Sequence, residues 1–591
     1  MRRALPPVLL LLVLLGVGLG LDVGTARPAA AHATVVTTTP ADGARLTAAP
    51  AEVTVEFDED VSLGAGYARV LGQDGRRVDA GAPAVRDKLL TVPLRDALPA
   101  GSYVVTWRVV SADSHPVSGA WSFVVGDGEL VAPSAADIGA AADPVVAAAL
   151  PAARWLGYLG LALGLGVPVF LLACWPAGWS VPLMRRLTRA GLAAVAVGGV
   201  LSVLLQGPYA AGAGLTGVVD LQLLGTTAGS VYGLTVLLRV VLAAVLAVVL
   251  LLGGQAGRAP GRPLLGVAAG LALALVLTVA TVGHPVAGEL PALAVAVTAV
   301  HVAAMSCWLG GLAALLGGVL AREVPLAALR PVLPRWSQLA AGLVTALVLT
   351  GVLQSVREVG SPSALVHTAY GWLLLAKVAV VVAVLLAAAL SRDWVQTRMG
   401  GRPRRPPAAR RVAGSAYRAP EERAAAVAVA VAAVEDTTPV PLRVLRRTVL
   451  VEAVGALVVL ALSAVLVGTP PAKAAVAAPV EVTLPLQSAA GAAGNGSVQV
   501  SLAPATPGPT SLHVYLYDAA GRLTQPRDIS VTLTEPQQQI GPLDVDLATA
   551  GPGHYVGDGA TLPAAGTWTL AVTVRLDEFT AVTASTVFPV R

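Results

Sequence analysis

The chain is poor in charge. Asp, Glu, Lys and Arg make up only 13% of its 591 residues, against about 25% in soluble domains, and the mean hydropathy is +0.73. That deficit excludes a purely soluble protein and predicts membrane-crossing segments with soluble parts attached. Cysteine is scarcer still. Cys174 and Cys307 both fall in apolar segments, so no disulfide is expected in any exported region, which must hold together by its core. Lysine is confined to Lys88, Lys377 and Lys473 while arginine is abundant. With so much Ala, Val and Gly, this reads as the codon bias of a GC-rich bacterium and carries no mechanism. The net charge of +5 does not indicate nucleic acid as a partner, because the basic residues cluster beside apolar spans. The chain has no phosphate-cradling Gly-Lys-Ser/Thr loop, which argues against ATP-driven pumping. It also has no Gly-x-Ser-x-Gly elbow and no His-Glu-x-x-His motif.

What the chain does have is long apolar runs, near 148–173, 187–206, 230–253, 264–283, 292–318, 337–356, 370–390 and 448–468. Each has about 20 residues or more, enough to cross a hydrocarbon core, so eight spans are expected. Arginines alternate with them. Arg185, Arg186 and Arg189 follow span 1, Arg258 and Arg262 follow span 3, and Arg322, Arg330 and Arg335 follow span 5. Twelve arginines lie between Arg392 and Arg447, while the loops after spans 2, 4 and 6 hold only Arg357. The positive-inside rule then predicts a multi-pass protein of the plasma membrane, in contact with lipid, with both terminal regions extracytoplasmic. Residues 395–447 form an Arg- and Pro-rich cytoplasmic insert. Its apolar run Ala424 to Val434 is too short to span.

The flanking regions are patterned for β structure. Val53, Val55 and Phe57 alternate with Thr54, Glu56 and Asp58, and Tyr103, Val105, Trp107 and Val109 repeat the period of two, the mark of half-buried strands. Ala41-Asp42-Gly43 and Gln73-Asp74-Gly75 read as turns. Residues 32–130 are therefore expected to form a small β-sandwich (Ig/cupredoxin-like), 131–146 a linker, 147–472 the eight-helix transmembrane bundle, and 476–591 a second β-sandwich. In the last, Val572 and Val574 alternate with Thr573 and Arg575, and Ala519-Ala520-Gly521 reads as a turn. The predicted fold class is a multi-domain membrane protein.

The chain opens with Arg2 and Arg3, an apolar stretch from Val8 to Leu21, and Pro28-Ala29-Ala30-Ala31-His32. This is the pattern of a secretory signal peptide, and cleavage after Ala31 would make His32 the first mature residue. Its α-amine and ring Nδ1 could then chelate a metal, a nitrogen set that suits Cu(II). In Asp113-Ser114-His115-Pro116, residues two apart share a side of an extended segment, so Asp113 and His115 can converge on one point. With His32 they would supply an amine, two imidazoles and a carboxylate. No Met or Cys accompanies them, so the soft ligands of a Cu(I) site are missing.

These stretches resemble the CopC copper-resistance family. The matches are His32-Ala33, Pro40-Ala41-Asp42-Gly43, and Ser111-Ala112-Asp113-Ser114-His115-Pro116-Val117-Ser118-Gly119. The resemblance implies Cu(II) binding by His32, Asp113 and His115, and, without methionines, a Cu(II)-only site. Residues 148–472 resemble the CopD membrane family. The matches are Gln206-Gly207-Pro208-Tyr209, His301 with Trp308-Leu309-Gly310-Gly311, Tyr370-Gly371-Trp372-Leu373-Leu374 with Lys377, and Glu452 to Pro471. That resemblance implies inward movement of copper. The C-terminal region resembles the small YtkA-like sandwich.

Within the membrane, His284 is expected at the outer end of span 4 and His301 within span 5. Met305 and Trp308 follow His301 at i+4 and i+7 and share its face. Ionisable groups at membrane depth point to function by default, and His284, His301 and Met305 are candidates for a copper path. The bland alternative is a helix-packing histidine with Met305 and Trp308 as apolar filling. Cys307 points away from the stripe, Lys377 lies near mid-span, and Glu452 lies at the cytoplasmic end, where it could be interfacial. In the C-terminal region, His554 in Gly553-His554-Tyr555 reads as a solvated surface histidine.

The leading expectation is a copper-handling protein, not an enzyme, that captures Cu(II) outside and passes copper across the membrane, with exported copper chaperones as candidate partners. Two alternatives stay open. One is a histidine-chelate copper enzyme of the oxidative monooxygenase type, which a carboxylate ligand argues against. The other is a copper sensor signalling through residues 395–447.

Overall fold

The computed structural model describes residues 33, 35–111, 115–127, 131, 142–253, 260–286, 290–320, 329–362, 364–398, 442–473, 480–486, 496–503, 505, 507–519, 522–576, 578 and 580–590. Eight strands come first: β1 (Val35–Thr39), β2 (Arg45–Leu46), β3 (Glu52–Phe57), β4 (Val61–Gly72), β5 (Ala84–Arg86), β6 (Leu89–Pro93), β7 (Gly101–Ser111) and β8 (Pro116–Val125). They form two four-stranded sheets, ordered β1-β3-β6-β5 and β2-β8-β7-β4. The period of two does what it promises in β3. Val53, Val55 and Phe57 are buried between the sheets, while Glu52 and Glu56 are exposed. Phe57 meets the Trp107 ring edge to face at 5.1 Å, and the Trp121 indole N–H donates to the Pro40 carbonyl at 3.0 Å.

β7 departs from the expected half-buried pattern. Its second face is buried too, at Ser102, Thr106 and Arg108. The reason is its surroundings: the neighbouring β4 packs on α2 and on the short helix Leu221–Gly229, and the Ser102 hydroxyl accepts a hydrogen bond from the Val131 N–H at 2.9 Å. A sequence period reports one covered face; the second cover comes from another domain.

Eight helices among the described residues are long and apolar enough to span a membrane, matching the eight expected: α1 (Pro144–Ala173), α2 (Pro182–Ala211), α3 (Val231–Leu251), α4 (Arg262–Ala280), α5 (Pro291–Val319), α6 (Leu333–Val359), α7 (Ala369–Thr397) and α8 (Arg443–Leu466). Prolines open α1, α2 and α5 within their first turn, where the missing N–H costs nothing. Asp143 caps α1 by accepting from the Val145 and Val146 N–H groups at 2.9 and 3.1 Å. Gly212, at φ +69°, closes α2.

Helices α1 and α5 cross closely through glycines. A Cβ on Gly310 would collide with the Ala162 carbonyl and one on Gly166 with the Ser306 carbonyl, the small-residue contact by which membrane helices approach. Two charges inside the spans have hydrogen-bond partners on neighbouring helices. The Arg239 guanidinium in α3 donates to the Thr278 hydroxyl and carbonyl of α4 at 3.1 and 2.6 Å. Glu452, near the start of α8, is buried and accepts from the Ser391 hydroxyl at 2.6 Å.

Nine strands follow: β9 (Val480–Pro485), β10 (Ser497–Ala503), β11 (Gly508–Tyr517), β12 (Asp528–Glu535), β13 (Ile540–Val545), β14 (Ala548–Gly551), β15 (His554–Leu562), β16 (Gly566–Arg575) and β17 (Ala581–Val590). Their sheets are ordered β14-β15-β11-β10-β9 and β13-β12-β16-β17. Trp568, Val572 and Val574 are fully buried in the core between them. Of the expected turn, Ala520 and Gly521 lie outside the described residues; the flanking Asp518 N–H donates to the Arg522 carbonyl at 2.8 Å.

Candidate metal-handling sites

His115 sits where β7 turns into β8. The Ser111 N–H and hydroxyl both donate to its carbonyl, at 2.9 and 3.1 Å. Its side chain is buried, and the cover is a second imidazole. The His115 ring stacks on His284 with centroids 5.2 Å apart and planes at 22°. His284 opens a short 3-10 turn, His284–Val286, beyond α4 and directly after Gly283, whose φ is +81°. The Arg357 guanidinium at the end of α6 donates to the Pro285 carbonyl at 3.4 Å. The structure thus joins two histidines taken separately from the sequence, one from the sandwich and one from the bundle. His32 and Asp113, the other candidate ligands, lie outside the described residues, as does the candidate signal peptide.

Helix α5 carries His301 and Met305. At 1.5 Å of rise per residue, His301 lies about 15 Å from the start of the helix at Pro291, near the middle of a hydrocarbon core about 30 Å thick. The Thr350 hydroxyl of α6 donates to the Ala346 carbonyl at 2.6 Å and lies 2.8 Å from the His301 Nδ1. A hydroxyl has one proton; with that proton on the Ala346 carbonyl, Thr350 would accept from Nδ1–H and leave Nε2 its lone pair, the form that ligates metal. Met305 packs between two apolar clusters of the bundle and Trp308 is buried. Lys377 is half-buried in α7.

A third group was not expected. His554 is fully buried, which corrects the solvated reading. Its Nε2 lies 3.2 Å from the His513 Nδ1, and that Nδ1 lies 3.5 Å from the Asp42 Oδ2 of the N-terminal sandwich. The Tyr515 hydroxyl donates to the same Oδ2 at 2.9 Å, and the Tyr515 ring stacks on His554 at 4.2 Å. Burial drives the His554 imidazole down to about 4, against the opposing pull of Asp42 and with the help of His513, so the ring is neutral near pH 7.

One sequence signal was available. His513 and Tyr515 alternate with the buried Leu512, Val514 and Leu516 and therefore share the outer face of β11. Tyr515 pairs with His554 across β15. That this face meets Asp42, 471 residues before His513, could not be read locally.

Comparison with known proteins bears on the N-terminal sandwich and the bundle. Residues 35–126 match the CopC domain, residues 143–292 the copper resistance protein D-like N-terminal domain, and residues 330–466 copper resistance protein D. Copper transport protein CutJ of Bacillus subtilis is 32% identical over 381 residues, covering 61% of this chain and 67% of that protein. Protein YobA of Escherichia coli is 39% identical over 99 residues, 16% of this chain and 79% of that one. The crystal structure of CopC from Methylosinus trichosporium aligns at 29% identity, covering 16% of this chain and 95% of that one, with a TM-score of 0.15. With a CopC domain, eight apolar helices and both parts of the D-type membrane domain in one polypeptide, this multi-pass membrane chain belongs to the CopC–CopD family of copper transport and resistance proteins.

Proposed function

We propose that the N-terminal sandwich captures Cu(II) on the extracytoplasmic side and delivers copper directly into the bundle for inward passage. The observation that carries this reading is the His115–His284 stack at 5.2 Å. A metal held by His115 needs only a ring reorientation, not a diffusive step, to meet an imidazole of the membrane domain. His32 and Asp113 complete the capture set with His115. His284 receives the ion, and His301 and Met305 continue the path, His301 with its Nε2 lone pair available. The arginine bias of the loops supports the outward placement of both terminal domains.

The same stack weighs against the monooxygenase alternative. The His115 side of the sandwich is covered by the bundle, whereas oxidation of a polymer needs an open copper face.

The test is uptake of isotopic copper into proteoliposomes holding the full chain, with Cu(II) binding measured in parallel. His284→Ala is expected to slow uptake by about tenfold or more, the scale of loss when a partner of a metal-ligating histidine is removed, while Cu(II) binding persists. Unchanged uptake by His284→Ala would overturn direct delivery.

A further inference from the structure

We propose that Asp42, His513 and His554 form a second metal site, which holds a divalent transition-metal ion between the two outer sandwiches and clamps them together. The donor set is two imidazoles and a carboxylate, with one ligand atom of each within 4.8 Å of the others. Tetrahedral sites with metal–nitrogen bonds of about 2.0–2.1 Å place neighbouring ligand atoms about 3.3 Å apart. The observed edges are 3.2 Å from His513 Nδ1 to His554 Nε2 and 3.5 Å from His513 Nδ1 to Asp42 Oδ2.

Hydrogen bonding alone fits the cluster less well. When His554 Nε2–H donates to His513, the His513 lone pair faces the Asp42 carboxylate. When His513 Nδ1 carries the proton, that one proton serves two acceptors. A cation at the centre takes all three lone pairs at once.

The surroundings hold these ligands in place, as supporting partners do around metal sites. The Tyr515 hydroxyl fixes Asp42 Oδ2 at 2.9 Å, and the Ser122 N–H holds Oδ1 at 3.1 Å. The other nitrogen of His513, Nε2, lies 3.4 Å from the Ser511 hydroxyl. Tyr515 stacks on His554 and sets its ring plane. Gly43 makes the approach possible: it sits at φ +74°, and a Cβ there would lie 2.5 Å from the His554 Nδ1. Imidazole and carboxylate donors suit both Cu(II) and Zn(II), and for a given site of this type Cu(II) binds the more tightly. Cu(II) is therefore the expected occupant when both are present. The site draws on a turn of the N-terminal sandwich and two strands of the C-terminal one, so its metal would cross-link sandwiches that no disulfide joins.

The experiment is Cu(II) titration of the full chain in detergent, with bound metal counted by mass spectrometry and its ligands read by electron paramagnetic resonance. A His115→Ala background removes one ligand of the capture site and its contact with His284, and the second site is read as the difference from that background, so failure here is separate from failure of the transport reading. In that background, adding His513→Ala is expected to remove one equivalent of Cu(II) together with a two-imidazole signature. Asp42→Asn, close to isosteric, is the second variant should His513→Ala fold poorly. It is expected to lower affinity for the same equivalent at least about tenfold, a shift of about 1.4 kcal/mol. Unchanged stoichiometry and affinity in both variants would overturn the site.

Discussion

The crossing of α1 and α5 allows one chemical change to be tested with opposite signs. A Cβ on Gly310 would lie 2.6 and 2.7 Å from the Gly166 Cα and carbonyl carbon and would collide with the Ala162 carbonyl. Ordinary carbon–carbon contacts are about 3.5–4.0 Å, so the shortfall is about 1 Å. Every atom on the far side is backbone, so no side chain can swing away and the helices must part. A gap of that size forfeits up to about half of each contact's attraction, and overpacking of this kind costs about 1–3 kcal/mol. On α6, a Cβ on Gly342 meets nothing within 4 Å. There Gly→Ala should gain about 0.5–1 kcal/mol from helix propensity alone. The two variants should therefore differ by about 2–4 kcal/mol, Gly310→Ala melting below the parent and Gly342→Ala at or above it. The assay is thermal unfolding in detergent, followed by a thiol-reactive fluorophore that reports exposure of the only two cysteines, Cys174 and Cys307, both free. Equal melting of the two variants would refute the close crossing.

In the N-terminal sandwich, Trp107→Ala removes a buried ring that packs on Phe57 at 5.1 Å and covers Gly119. It should cost about 3–5 kcal/mol, seen as faster limited proteolysis of the sandwich, with the bundle's thiol-reported melting unchanged. Gly43→Ala and Gly75→Ala impose the same backbone strain, at φ +74° and +72°, but only the first meets His554, while the second meets nothing within 4 Å. Gly43→Ala alone should lose the interdomain Cu(II) equivalent, and loss by both or neither would refute the contact.

Much of the architecture was legible because its signals are local. Spans announce themselves by length, and the inward faces of β3 and β16 by alternation. The misreadings share one physical origin. β7 was expected to bury one face and His554 to be solvated, and in both cases a partner distant in sequence supplies cover: the Val131 backbone at Ser102 of β7, and His513 and Asp42 at His554. Local pattern states which residues prefer burial and carries no term for a polar residue buried by pairing. Arg239 is the converse case. A lone arginine amid Leu237, Leu238, Val240 and Val241 is a plain sequence signal for an intramembrane hydrogen-bond partner, and Thr278 provides it.

The histidine sites follow the same logic and acquire their meaning from strand β8. Residue types at fixed spacing nominated His115 and His284, but only the fold stacks them. Only the fold, too, brings Asp42 to His513. The strand ties the two junctions together. His115 immediately precedes β8, and Ser122, whose N–H binds the Asp42 carboxylate, lies seven residues further along it. At about 3.3 Å of rise per residue, the two junctions sit at opposite ends of a strut about 23 Å long. A hydrogen-bonded strand in the middle of a sheet does not stretch, so seating Asp42 against His513 and His554 fixes where the far end, with His115, can reach. The C-terminal sandwich, through His513 and His554, thereby bears on where His115 meets His284.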